Sequence, residues 1–281
     1  MPFTSLIILL LVVVNVLVSY KGFTNTAFYE GYSFEVDRIL VYKDYKRLVT
    51  SGFLHVGWMH LIFNMMSLYA FSGAVAYSLG PLPFLLIYFA SLIGGGLFSL
   101  LIHRHHGDYS SVGASGAVCG VMFASVALFP GMRISMFPLP IGIPSWIYAL
   151  LFVLFSIYGI RSQKNNVGYD AHLGGALVGM LLALLMRPAA FLENYVVILI
   201  ILVPSIAFLF VIIKRPALLF VDNLFYKTHR DSYSVDHQYN VERFDQQQEV
   251  DRILDKIARS GMGSLSRKER QTLESYSKKM K

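Results

Sequence analysis

The chain is poor in charge and nearly devoid of cysteine. Asp, Glu, Lys and Arg make up only 15% of its 281 residues, against about 25% in soluble globular domains. That deficit argues against a water-soluble fold. The single cysteine, Cys119, excludes an internal disulfide framework. The histidines are too dispersed to build a zinc site, and no motif implies a cofactor. Charge is also scarce in a patterned way. Residues 1–213 carry 10 basic and 7 acidic side chains, whereas residues 214–281 carry 14 and 10. Because acids interleave with bases in this last quarter, nucleic-acid binding is disfavoured. The net charge of +7 suits an anionic membrane surface instead.

What is present is apolar: 55% of residues are hydrophobic and the mean hydropathy is +0.55. Apolar runs recur along the chain, most of them reaching the about 17–25 residues that cross a bilayer. They lie at Thr4–Tyr20, 58–79, 84–102, 115–129, 144–160 and 171–186. The first could be a signal peptide, but it lacks a positive leading region and a clear small-x-small cleavage site, so it is expected to be retained. A further run, Tyr195–Ile213, is long enough for a seventh span despite Pro204. The expected fold is all-α, a polytopic membrane helical bundle. Its expected parts are a six-helix core over 1–187, an additional span within 188–213 and a polar basic tail over 214–281.

The connections are read in the same way. Residues 21–54 form a long polar and aromatic loop whose aromatics suit the bilayer interface. His103-Arg104-His105-His106-Gly107-Asp108 is read as a solvated turn rather than a metal cluster. In the tail, Val250, Ile253, Leu254, Ile257 and Ala258 fall on one helix face, and Gly261 stops that helix. Ser266-Arg267-Lys268-Glu269 reads as a capping box opening a second helix. A helical hairpin at about 248–279 is expected, joined by a linker over about 222–245.

Polar residues within spans are costly, and each is therefore a functional suspect. His60 and Asn64 are four apart and share one face of the second span; they could equally be an interhelical hydrogen-bond pair. Ser115 opens the fourth span within Gly113-Ala114-Ser115-Gly116 and could be a packing residue. His172 opens the sixth within Ala171-His172-Leu173-Gly174-Gly175, and could be an ordinary buried histidine. Gly175 and Gly179 form a small-xxx-small pair for tight packing. Span starts separated by two crossings lie on one side of the membrane, so Ser115 and His172 reach similar depth. A serine beside a neutral imidazole is the minimal nucleophile–base unit. Asp170, the nearest acid, is placed in the preceding loop, so the expected unit is a dyad. His60, Asn64 and the backbone N–H of Ser115 are candidate donors to an oxyanion.

Three motifs in this order, His55-x4-His60-x3-Asn64, Gly113-x-Ser115-Gly116 and Ala171-His172-x2-Gly175-x3-Gly179, resemble those of the rhomboid intramembrane serine proteases. The resemblance covers about residues 1–187. It implies Ser115 as nucleophile, His172 as general base, and His60 and Asn64 as oxyanion stabilisers. His55 takes a supporting role, as do Gly113, Gly116, Gly175 and Gly179. Substrates would be transmembrane segments of other proteins, met within the lipid bilayer, and the expected location is a bacterial inner (plasma) membrane. A non-catalytic rhomboid-like protein that binds transmembrane segments is the alternative. A partner for the tail is not specified. Two departures stand out. Cys119 occupies a position where many rhomboids carry a tyrosine packed on the catalytic histidine. Lys46-Arg47 stands where the first loop usually has Trp-Arg.

Overall fold

The computed structural model describes residues 2–104, 106–135, 142–162, 168–214, 246, 249–259 and 261–279. The expected linker over 222–245 lies outside the described residues. The first helix, α1 (Pro2–Thr24), leads into a long loop holding α2 (Thr26–Tyr32), β1 (Phe34–Glu35), α3 (Val36–Leu40) and α4 (Arg47–Thr50). Two long helices follow, α5 (Trp58–Leu79) and α6 (Pro81–His103), separated by Gly80 at φ +93. Then come β2 (Ser110–Ser111), α7 (Ser115–Leu128), a hairpin of β3 (Arg133–Ser135) and β4 (Gly142–Pro144), α8 (Ser145–Ser162), α9 (Tyr169–Met186) and α10 (Ala189–Lys214).

Among the described residues, five helices are long and apolar enough to cross a membrane: Thr4–Thr24, Trp58–Leu79, Pro81–His103, Tyr169–Met186 and Ala189–Val211. The chain is a multi-pass membrane protein. The expected fourth and fifth spans are shorter apolar helices, Ser115–Leu128 and Ser145–Ile160. At 1.5 Å per residue, α7 measures about 21 Å, less than the roughly 30 Å hydrocarbon layer. Its length is limited by Gly113 before it and Pro130 after it. It compensates by burial: every residue from Gly116 to Leu128 is buried. This short helix is walled in by its neighbours, and its first residue, Ser115, is half-buried. Lipid-facing side chains belong instead to the outer helices, such as Leu10 and Leu17 on α1 or Val203 and Phe210 on α10, all exposed.

Glycines set the spacing of the central helices. A Cβ on Gly175 or Gly179 would run into the backbone carbonyls of Gly116 and Gly120, and one on Gly95 would meet the carbonyl of Ala171. Thus α9 lies backbone-to-backbone against α7 on one side and α6 on the other, the close approach expected of small-residue pairs. This registry decides which residues meet at the upper ends of α7 and α9.

The first loop is held by Arg47, which is buried. Its guanidinium donates to the carbonyls of Glu30 (2.9 Å) and Ser33 (2.6 Å) and pairs with Asp44 (2.9 Å). Antiparallel pairing of β1 with β2, Phe34 opposite Ser111, ties this loop to the segment before α7. Gly113 N–H donates to Ser51 O at 3.0 Å and completes the tie. In the tail, a helix over 249–259 is followed by a turn at Gly261 (φ +74) and a helix over Arg267–Lys279. The capping box forms as read: Ser266 Oγ accepts from Glu269 N–H, and Glu269 Oε2 accepts from Ser266 N–H.

Candidate active site

Ser115 is the first residue of α7, so its N–H belongs to the turn whose amides have no intrahelical acceptor. His172 lies in the first turn of α9. The glycine registry sets these two ends together, and His172 Nε2 lies 2.6 Å from Ser115 Oγ. For the hydroxyl to donate, the imidazole must be neutral with its proton on Nδ1. Both residues are half-buried.

His60 approaches from α5. Gly113 sits between it and the serine: a Cβ there would lie 2.8 Å from His60 Cε1, 3.1 Å from His60 Nε2 and 3.6 Å from Ser115 Oγ. With φ at +136, Gly113 is required both by conformation and by space. The Nδ1 atom of His60 is buried and has no hydrogen-bond partner among the described residues. An orphaned lone pair costs less than an orphaned N–H, which favours the proton on Nε2, the nitrogen facing the Gly113–Ser115 turn. Asn64 is buried one turn further on, and its Nδ2 donates to the carbonyl of His60 at 2.9 Å. It therefore braces the turn that carries His60, and one N–H of its amide is already occupied.

His55 is buried and supports the site from behind. Ser19 Oγ donates to Phe53 O at 2.9 Å, leaving its lone pairs to accept from His55 Nδ1 at 2.8 Å. His55 Nε2 then accepts from Ala114 N–H at 3.5 Å. Burial, with a smaller push from neighbouring His60, holds the His55 imidazole down at about 3. It stays neutral and pins the residue before Ser115. The His55 and His60 rings meet edge to face at 5.0 Å.

A family profile described as Rhomboid domain matches residues 42–189, more than half of the chain. The chain belongs to the rhomboid family. Curated rhomboids agree. Rhomboid protein 1, mitochondrial, of Saccharomyces cerevisiae is 35% identical over 150 residues, covering 51% of this chain and 43% of that protein. RHOMBOID-like protein 12, mitochondrial, of Arabidopsis thaliana is 31% identical over 147 residues (47% and 43%). Rhomboid protease GluP of Bacillus subtilis is 30% identical over 182 residues (64% and 34%). The matches span less than half the length of each of these relatives. Two of the three are mitochondrial by name, so they support a multi-pass membrane protein and do not support the expected bacterial inner membrane. Residues 233–279 match a family of unknown function (DUF6576).

Two rhomboid expectations change in the structure. The aromatic support missing at Cys119 comes from elsewhere: the Phe152 ring of α8 lies 6.0 Å from the His172 ring, and Tyr169 meets it near-perpendicularly at 6.1 Å. Neither residue stands out in the sequence: Phe152 reaches His172 only when α8 meets α9, and Tyr169 reads as part of the polar loop before the sixth span. The second change concerns Asp170. It is not in a loop but in the first turn of α9, 3% exposed. Ser99 Oγ of α6 donates a hydrogen bond to its Oδ2, and His103 Nε2 lies 3.4 Å from the same oxygen. Accordingly the turn after α6 is not simply solvated. His103 is mostly buried, stacked on Tyr109 at 3.6 Å, and its Nδ1 lies 3.3 Å from His106 Nδ1. His105 lies outside the described residues. No group able to hold a metal ion is found among the described residues.

Proposed function

We propose that this rhomboid is an intramembrane serine endopeptidase that cleaves transmembrane segments of other membrane proteins with a Ser115–His172 dyad. The observation that carries this reading is the 2.6 Å separation of Ser115 Oγ and His172 Nε2 between the first turns of α7 and α9. A protein that only binds transmembrane helices has no use for that hydrogen bond. The name of the related Bacillus protein, a rhomboid protease, points the same way. In this reading residues 1–187 are the protease core, and the last helix and tail are appended to it.

The chemistry follows from the geometry. Ser115 Oγ attacks the scissile carbonyl carbon while its proton passes to His172 Nε2. The oxygen of that carbonyl becomes an oxyanion, and the Ser115 N–H, His60 Nε2 and the Asn64 amide are its donors. The intermediate collapses to an acyl-enzyme as the imidazolium protonates the departing amine, and water then releases the acyl group with His172 again as base. Cleavage of a model transmembrane substrate in liposomes tests the reading. Ser115→Ala and His172→Ala each lower kcat by about 10⁴-fold or more, with the helical content of the protein intact. If the wild type takes no serine-directed fluorophosphonate label and cuts nothing in a broad substrate panel, the reading fails. Asn64→Ala lowers kcat by about 10²-fold with KM little changed; unaltered kinetics would remove Asn64 from the oxyanion role.

A further inference from the structure

The four residues that open α9 are each docked on a different part of the protein. The Tyr169 ring occupies the space left by Gly159 of α8 and packs edge to face on Phe155 at 5.6 Å. Asp170 is held by Ser99 and His103 of α6. Ala171 presents its carbonyl to Gly95 of α6 and Gly116 of α7. His172 meets Ser115. Of these contacts, only the one at Asp170 introduces an ionisable acid, and nothing in the dyad mechanism uses it.

We propose that Asp170 is a positioning residue for the dyad: it locks the first turn of α9 through Ser99 and His103, and its buried carboxylate stabilises the imidazolium formed when His172 accepts the Ser115 proton. This rests on the protease reading. A carboxylate so deeply buried is costly unless paired and hydrogen-bonded, and here it is both. It acts through space, two residues before His172 at the start of α9, and makes no hydrogen bond to it. In a low-dielectric surround a nearby charge still counts. The groups facing this pair can be named element by element. From α6 come His103 and the Ser99 hydroxyl; from the loop after it, Tyr109 and His106; from α5, His60; from α9 itself, Tyr169. The described faces of α8 bring Phe152 and Phe155, which do not titrate. Burial, and secondarily the Asp170 carboxylate, pushes the Tyr109 phenol up, so that it stays a protonated donor beside this network. The resulting arrangement gives the dyad an acid without making it a contact triad.

The test is the pH dependence of cleavage in proteoliposomes, from about pH 5 to pH 9, where histidines titrate. A negative charge favours the imidazolium. Removing it in Asp170→Asn, which keeps the acceptor for Ser99, moves the acid limb of kcat/KM down by roughly one pH unit. It also lowers plateau kcat by about tenfold, with KM within about twofold. Asp170→Glu restores the wild-type limb. An acid limb that stays put in a folded Asp170→Asn enzyme overturns the inference, even where activity falls, because that is the signature of a merely structural residue. If Asp170→Asn does not fold, Ser99→Ala serves. It keeps the carboxylate and strips a donor from it, so the limb moves up, and an unmoved or lowered limb overturns the inference. Fluorophosphonate labelling of the wild type separates the layers. A wild type that neither labels nor cleaves removes the protease reading and this one with it, whereas an active wild type with an unmoved variant limb removes only the role of Asp170.

Discussion

Two of the helices that carry an acid in the first turn, α9 and the tail helix, meet the same demand with different partners. In the tail helix, Glu269 bonds Ser266 N–H and is approached by Lys256 at 2.9 Å and Arg252 at 3.0 Å. In α9, Asp170 is bonded by Ser99 and His103, side chains that come from another helix. Glu269, itself largely buried, is served by its own turn and by the cations Lys256 and Arg252 of a neighbouring helix. Asp170 has no cation in its own turn and depends on polar groups from α6, because a carboxylate this deeply buried is costly unless paired and hydrogen-bonded. An acid near a helix N-terminus is favoured in both cases by the helix dipole. In the tail that preference ends in a cap. In α9 it is placed two residues from a proposed catalytic base, and the cost of burial has been met by a dedicated network.

The strongest way to break this contrast is to disturb the packing that places α9 without touching either acid. Gly175→Val pushes side-chain atoms into the carbonyl of Gly116. Overpacking of this kind costs about 1–3 kcal/mol, and displacing a catalytic group by about 1 Å costs on the order of 10²-fold in rate. The expected outcome is a lowered Tm together with a loss of cleavage of about 10²-fold or more, while the tail's helix signals are unchanged. Wild-type cleavage by a folded Gly175→Val protein would show that the registry of α7 and α9 does not set the dyad.

The contrast also explains what could be read from the sequence. The capping box was legible because its partners, Ser266 and Glu269, are three residues apart. The Ser115–His172 contact was legible because the polarity of both residues stands out in apolar spans. Gly175 and Gly179 were legible by spacing, although their partners Gly116 and Gly120 emerge only from the packing. Asp170 reads as a loop residue because its partner Ser99 lies 71 residues away and a polar residue at a span edge looks solvated. The turn after α6 was misread for the same reason: His103 finds Asp170 only when α6 meets α9. Phe152 was invisible, since one phenylalanine in an aromatic-rich span carries no mark of the ring it faces. The brevity of α7 could have been noticed from Gly113 and Pro130, which bracket it.

A titration sharpens the comparison from the tail side. The bond from Ser266 N–H, with Lys256 and Arg252 adding to it, holds the Glu269 carboxyl down at about 2. In the unfolded tail it titrates near 4.3. A depressed carboxyl contributes stability that is fully present above the unfolded value and is lost as pH falls through the folded one. The hairpin should therefore lose this contribution between about pH 4 and pH 2. The ¹³C carboxyl resonance of Glu269 in the full chain is expected to titrate with a midpoint near 2. A midpoint near 4 would mean that the capping box is open in solution.

The smallest effect separates the two first turns most cleanly. Ser266→Ala removes the hydroxyl that accepts from Glu269 N–H and leaves the backbone donor to the Glu269 carboxylate in place. Loss of such a cap costs about 1 kcal/mol, enough to raise amide exchange in the first turn of Arg267–Lys279 severalfold. Nothing in the proposed active site depends on that hydroxyl, so kcat and KM for a transmembrane substrate should match the wild type. The corresponding removal in the membrane, Ser99→Ala, should do the reverse: little change in tail exchange and an altered pH profile of cleavage. If both serine variants changed cleavage alike, the tail cap would have to act on the membrane helices, and the two acidic turns would be parts of one device rather than separate answers to one physical demand.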